Sequence, residues 1–315
     1  MNPSPYIARR ASQSQFVQAR GLRHHVLQWG DTSLISPVRP PLVMLHGWMD
    51  VAASFQFVVD ALPTDRLVLA LDFRGFGLTD TPAADSYWFP DYLGDLEAVL
   101  DTLFFGQMPT QKIDLLGHSM GGNVAMLYAG VRPERIRKLV NLEGFGLPTS
   151  VPTQAPKRYA QWLNELKEPL ELRKYDSLQA VADRLRKTNP LLPEHRALWL
   201  AQHWSRQTEN VDGSSGAFEI LGHAAHKRVN PVLSQVPEVL AVWKQITAPL
   251  LWVEGDLTDT SRWWGTRYTK AEFHERLCVV NQQPKQVEKH VLSPAGHMLH
   301  HDQPEALAAL LEAFL

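Results

Sequence analysis

Two hydrophobic patterns take turns along most of this chain. One is a short, largely apolar run: Leu42–Leu45, Leu67–Leu71, Lys112–Leu116, Lys138–Leu142 and Pro249–Val253. Runs of that length, with little polar alternation, suit strands buried on both faces. The other pattern is apolar residues at helical spacing. It covers Ala52–Leu62 (stopped by Pro63), the stretch holding Tyr92, Leu93, Leu96, Val99, Leu100 and Leu103, then Asn123–Arg132 (closed by Pro133), Lys270–Leu277 and Pro304–Leu315. A further strand is expected near Val287–Leu292, and strand-like stretches span Phe16–Trp29. Strand and helix alternating through short connections predict an α/β fold with a mostly parallel central sheet and right-handed crossovers. Residues 1–15 read as a loose arm.

The alternation breaks at Gly144-Phe145-Gly146-Leu147-Pro148 and resumes at Pro249. Between them the chain reads almost wholly helical, with no clear buried strand. The expected division is a core running over residues 16–147 and 246–315, with a helical cap inserted at 148–245.

Composition narrows the setting. Hydrophobic content of 44% and charged content of 20% describe an ordinary globular protein, and a net charge of −2 gives no reason to expect nucleic acid or an anionic membrane as partner. The single cysteine, Cys278, leaves no internal disulfide and fits a reducing compartment. Arg9 and Arg10 are not followed by the apolar stretch of a secretory signal, and no run is long enough to span a bilayer. A cytoplasmic location and a small-molecule substrate are the expectation; the composition says nothing about oligomeric state.

The candidate chemistry centres on Gly117-His118-Ser119-Met120-Gly121-Gly122, which follows one expected strand and opens an expected helix. That context gives the G-x-S-x-G pattern its meaning: a tight, strained turn lifts the serine hydroxyl clear of the sheet. Glycines flank the apex because a Cβ there would collide with a neighbouring element. The Met120 N–H then sits at a helix N-terminus, an end suited to a developing oxyanion.

His46-Gly47-Trp48, Ser119, the Gly255–Asp259 turn and His297 each follow an expected strand, so they share one edge of the sheet. With the Asp72-x-Arg74-Gly75-x-Gly77-x-Thr79 loop, this order resembles the α/β-hydrolase family over nearly the whole chain beyond residue 15. The resemblance implies a Ser119 nucleophile, His297 as its general base, and an oxyanion hole from the N–H groups of Met120 and Trp48. It also implies a cap over the active site, where Tyr159, Trp162, Trp199 and Trp204 could line the substrate pocket, with Trp48 beside the nucleophile. Haloalkane dehalogenases and epoxide hydrolases resemble this architecture but use a carboxylate where this chain has Ser119. The elbow looks instead like carboxylesterases, thioesterases, carbon–carbon bond hydrolases and serine-hydrolase-like proteins. An esterase-like or related acyl-cleaving enzyme is the first expectation; a meta-cleavage carbon–carbon hydrolase or a slow-turnover small-molecule receptor are the alternatives.

Three carboxylates compete to orient His297. Asp259 lies after the Leu250–Val253 run, where most members of the family keep this acid, and is the first choice. Glu143, at the end of the preceding strand, is the alternative; Asp256 is a weaker rival that comes too early to clear the strand end. Among the thirteen histidines, His118 is expected to support loop packing, and His300 and His301 to be solvated or capping. His223 with His226, and His300 with His301, lack metal-site spacing with nearby carboxylates or thiolates, so solvated helix faces are expected and no metal or cofactor is implied. Asp72, Arg74 and Asp80 are expected to be structural.

Overall fold

One strand runs against both of its neighbours in the sheet that carries this fold. The computed structural model describes residues 4–209, 213–280 and 287–315. The chain opens with an antiparallel hairpin, β1 (Gln13–Ala19) and β2 (Leu22–Trp29). Then come β3 (Leu42–Leu45), a 3-10 turn at Ala52–Phe55 leading into α1 (Gln56–Ala61), β4 (Val68–Leu71), α2 (Phe89–Leu100), β5 (Ile113–His118), α3 (Met120–Val131) and β6 (Ile136–Leu142).

The inserted region holds α4 (Ala155–Glu165), β7 (Lys174–Tyr175), α5 (Leu178–Thr188), α6 (Glu194–Trp204), β8 (Ser205–Glu209) and β9 (Ser215–Ile220). Next are α7 (Val236–Trp243), β10 (Leu250–Gly255), α8 (Ser261–Trp264), α9 (Lys270–Leu277), β11 (Val287–Leu292), α10 (Leu299–Asp302) and α11 (Pro304–Phe314). The main sheet has the order β1-β2-β4-β3-β5-β6-β10-β11, with β2 antiparallel to both neighbours and every later pairing parallel.

Alternate side chains of the central strands feed two separate apolar layers. Leu45, Leu71, Leu115 and Leu139 pack on one face, with the helices around Leu96 and Val124. Met44, Ala70, Leu116 and Val140 pack on the other, with Val58 and Leu311. Burial of both faces explains why these strands appear in the sequence as apolar runs.

Three expectations need correction. The inserted region is not wholly helical: β7, β9 and β8 form a three-stranded antiparallel sheet within it. The chain also returns to the core before residue 246, because α7 lies on α3. A Cβ added to Gly130 would come within 2.2 Å of the Val242 carbonyl oxygen. Nor is the N-terminal segment loose from residue 4 onward. The Tyr6 ring packs edge-on against Phe57 and Trp199, its hydroxyl donates to Asp60, and the N–H groups of Arg9 and Arg10 reach the same carboxylate at 2.9 Å each.

Candidate active site

β5 carries the chain to the carboxyl edge of the sheet, and α3 starts two residues later. The residue between them, Ser119, adopts φ 52° and ψ −115°. Positive φ at a side-chain-bearing residue costs about 1–3 kcal/mol and persists only where the surroundings enforce it. Here Ser119 N–H donates to the Leu142 carbonyl at 2.8 Å, and its own carbonyl accepts from Asn123 N–H at 3.1 Å. Glycine is required on both sides: a Cβ at Gly117 would lie 2.1 Å from the Gly121 carbonyl oxygen, and one at Gly121 would lie 2.2 Å from that of Leu45. Met120 is the first residue of α3, so its N–H has no acceptor within the helix. The His46-Gly47-Trp48 turn lies against the same apex, since a Cβ on Gly47 would sit 3.3 Å from the Ser119 Cβ. His46 is buried and structural, accepting from Phe73 N–H at 3.0 Å.

His297 spans the gap between the hydroxyl and an acid. Its Nε2 lies 2.9 Å from Ser119 Oγ, and its Nδ1 lies 2.9 Å from Glu143 Oε2. The other carboxylate oxygen of Glu143 accepts from Gly255 N–H at 2.6 Å. Glu143 has φ 60°, a turn that aims its side chain back under the end of β10. Burial disfavours charge on both members of the pair: it pushes Glu143 up from the ordinary carboxylate range, against the pull of Gly255 N–H, Thr258 and Lys270, and lowers His297 to about 4. The imidazole is therefore neutral near pH 7, with a lone pair free to take a proton from Ser119.

The acid in contact with His297 is thus Glu143, the alternative, and not Asp259. Asp259 has a side chain 51% exposed, and its carboxylate accepts from the N–H and hydroxyl of Ser261 at 3.0 and 2.6 Å. Those bonds hold its carboxyl below the ordinary value and direct it to solvent at the start of α8. Asp256 does not face the imidazole either. It accepts from Ser293 Oγ at 2.6 Å and Ala295 N–H at 2.9 Å, tying down the loop that leads to His297.

The aromatic candidates divide. Trp48 is 52% exposed beside the nucleophile, with its indole N–H donating to the His226 carbonyl at 3.3 Å. Trp162 is partly buried on α4. Trp204 is committed to packing, 7% exposed, with its N–H on the Met49 carbonyl at 2.9 Å; it joins the inserted region to the core. Trp199 packs on Phe57, while Tyr159 lies exposed on α4. A residue the sequence did not single out, Trp263, stands edge-on 4.5 Å from the His297 ring and remains 43% exposed. Its tandem partner Trp264, on the short helix α8 that follows β10, was the available signal.

Of the histidines expected to be solvated, His226, His300 and His301 are buried and His223 is partly buried. His226 is stacked between Phe76 and Tyr87 at 3.7 and 3.8 Å, and its segment is stitched to the Asp72–Asp80 loop by His223 N–H to the Gly75 carbonyl (2.7 Å) and Gly77 N–H to the Leu221 carbonyl (2.9 Å). His300 and His301 lie under the site with Asp50, which the fold brings beside them although it is remote in sequence. Ser54 Oγ already bonds both imidazoles, at 3.3 Å to His300 Nε2 and 2.5 Å to His301 Nε2, and neither Nδ1 has a partner among the described residues to orient it. Metal-ligating histidines normally have such a partner, so this cluster fits a buried hydrogen-bonded network better than a metal centre. Asp72 accepts from Ala52 N–H, Leu78 N–H and His25, and Arg74 grips Asp95, which are structural roles.

Residues 42–310 match the model of the alpha/beta hydrolase family. A serine hydrolase-like protein of Danio rerio is 29% identical over 289 residues, covering 87% of this chain and 81% of that protein. Among solved structures, the thioesterase domain from the curacin biosynthetic pathway superposes with a TM-score of 0.78 at 23% identity, covering 96% of this chain and 99% of that one. E-2-(acetamidomethylene)succinate hydrolase gives 0.70 at 20% identity, with 96% and 99% covered. At those identities the two structures show a shared fold.

Proposed function

This chain belongs to the alpha/beta hydrolase family, and on that premise we propose that it is a serine hydrolase cleaving an ester or related acyl bond of a small, fairly apolar molecule through an acyl-enzyme. The observation that carries the reading is the unbroken relay from Ser119 Oγ through His297 to Glu143, two hydrogen bonds of 2.9 Å each. A serine hydroxyl is too weakly acidic to attack unaided at neutral pH. His297 Nε2 takes its proton as Oγ adds to the substrate carbonyl carbon. The oxyanion that forms is held by Met120 N–H and Trp48 N–H, each such donor being worth about 10²–10³ in turnover. The imidazolium stands against Glu143, a carboxylate whose burial makes charge costly unless paired, so their attraction is greatest as the imidazolium forms. The intermediate collapses as His297 passes its proton to the leaving group, and a water activated by the same imidazole then releases the acid from Ser119.

Exposed Trp48 and Trp263 flank this relay and supply apolar surface to a substrate, which supports a modestly sized apolar acyl or leaving group. A fluorophosphonate probe is expected to label the protein at Ser119. Ser119→Ala should abolish labelling and reduce turnover on p-nitrophenyl esters by roughly 10⁴–10⁶. Labelling that survives the substitution refutes the assignment.

A further inference from the structure

We infer that His118 is a positioning residue for the reaction, a buried strut that fixes the backbone of the general base relative to the nucleophile. The inference rests on the acyl-transfer reading of Ser119 and His297. His118 is the last residue of β5, immediately before the nucleophile, and it is 1% exposed. Its Nε2 lies 2.7 Å from the carbonyl oxygen of His297. A carbonyl only accepts, so Nε2 carries the proton and His118 is the neutral Nε2–H tautomer with its lone pair on Nδ1. Burial and the neighbouring His297 push its protonation well below the ordinary histidine range, which keeps that tautomer in place.

The consequence is a closed ring. It runs from Ser119 along one peptide unit to His118, through the imidazole and its 2.7 Å bond to the His297 backbone, along the His297 side chain, and back through the 2.9 Å bond to Ser119 Oγ. Nucleophile and base come from segments far apart in sequence, so their separation depends on whatever ties the two segments together. Two other bonds secure the approach to His297: Asp256 on Ala295 N–H at 2.9 Å, and Asp302 on Gly296 N–H at 2.8 Å. Both stop short of His297. His118 bonds the backbone carbonyl of His297 itself, and it is anchored to the nucleophile's own strand. It is also held rigidly: its ring lies 4.3 Å from that of His300, and a Cβ on Gly47 would approach its Nδ1 to 2.9 Å.

The test compares two unbranched side chains of similar length, one with a donor and one without. His118→Gln can still donate an amide N–H toward the His297 carbonyl, whereas His118→Met fills the space and cannot. Each variant is assayed for kcat and KM on a p-nitrophenyl ester, and for its second-order rate of fluorophosphonate labelling, with the thermal midpoint measured alongside. Displacing a catalytic group by about 1 Å can cost about 10²-fold. His118→Met is therefore expected to lose about 10- to 100-fold in kcat and labelling rate with KM nearly unchanged, and His118→Gln to recover most of that loss. Met and Gln variants that are both as active as wild type, or both equally impaired, overturn the inference, as does a loss confined to KM. Ser119→Ala run in parallel separates the two claims. Labelling of that variant defeats the acyl-transfer reading, while its absence leaves the strut to stand or fall on the His118 comparison.

Discussion

Two strand ends offer a carboxylate to His297, and they differ in what surrounds the acid more than in where it falls along the chain. After β10, Asp259 sits in a turn of its own, accepting from the N–H and hydroxyl of Ser261 through one oxygen, with its side chain half exposed. At the end of β6, Glu143 is almost fully buried and shares its oxygens between His297 Nδ1 and Gly255 N–H. The longer side chain and the positive-φ turn carry the Glu143 carboxylate sideways beneath the neighbouring strand. An orienting acid must be shielded, because a carboxylate in water attracts imidazolium only weakly. The position after β10 leaves its acid half exposed; the position after β6 buries it against His297.

The sharpest way to break this contrast is to remove each acid in turn. Glu143→Gln is expected to lower kcat about 10⁴-fold by allowing the wrong imidazole tautomer, while Asp259→Asn stays within about tenfold of wild type. Equal losses at equal folded concentration would mean that the two strand ends are not distinguished by burial. The next effect concerns the joint between the inserted region and the core. Trp204→Ala should destabilise the fold by about 3–5 kcal/mol, read by denaturant unfolding, and should scale activity on short and long acyl esters alike. A Trp48 substitution should change that ratio instead, and an unchanged ratio would remove Trp48 from the substrate surface.

Acidity probes the burial itself. His297 must be neutral to act, and burial lowers it to about 4, so the acid limb of kcat/KM should fall well below the ordinary histidine value of about 6.5. The sign is definite: activity is full above the limb and lost as pH drops through it. A limb near 6.5 would show a base more hydrated than the structure describes. The smallest effect belongs to Asp256, whose replacement by Asn keeps one acceptor for Ala295 N–H and should reduce kcat only several-fold, by roughly 1 kcal/mol. A loss on the scale of Glu143→Gln would reassign the acid.

Much of this could be read from residue order. The buried parallel strands are visible because both faces are apolar, and the elbow because its glycines have no substitute where backbone meets backbone. The small sheet of the inserted region is not visible. β7 is two residues long, and Ser205–Glu209 carries Arg206, Gln207, Thr208 and Glu209 with no apolar alternation, so nothing local marks it as a strand. The choice of Glu143 depended on a turn angle and on Gly255 arriving from another strand, neither of which leaves a periodic trace. His300 and His301 resemble surface residues until Ser54 and Asp50 come beside them from the other side of β4 in sequence. Polar burial is decided by tertiary partners, which local pattern does not record.

The stacking of His226 between Phe76 and Tyr87 has a consequence for traffic through the site. The segment that bears it also holds the indole of Trp48, so swinging this end outward would unstack two rings and disturb the turn beside Ser119. The opposite flank is lighter: α4 buries no residue and meets residues 229–230 through polar contacts such as Glu165 with Val229 N–H at 2.7 Å. The inserted region is thus tied more firmly at its His226 end than along α4. If substrate and product pass along α4, a cross-link placed there should slow product escape while leaving the acylation burst intact.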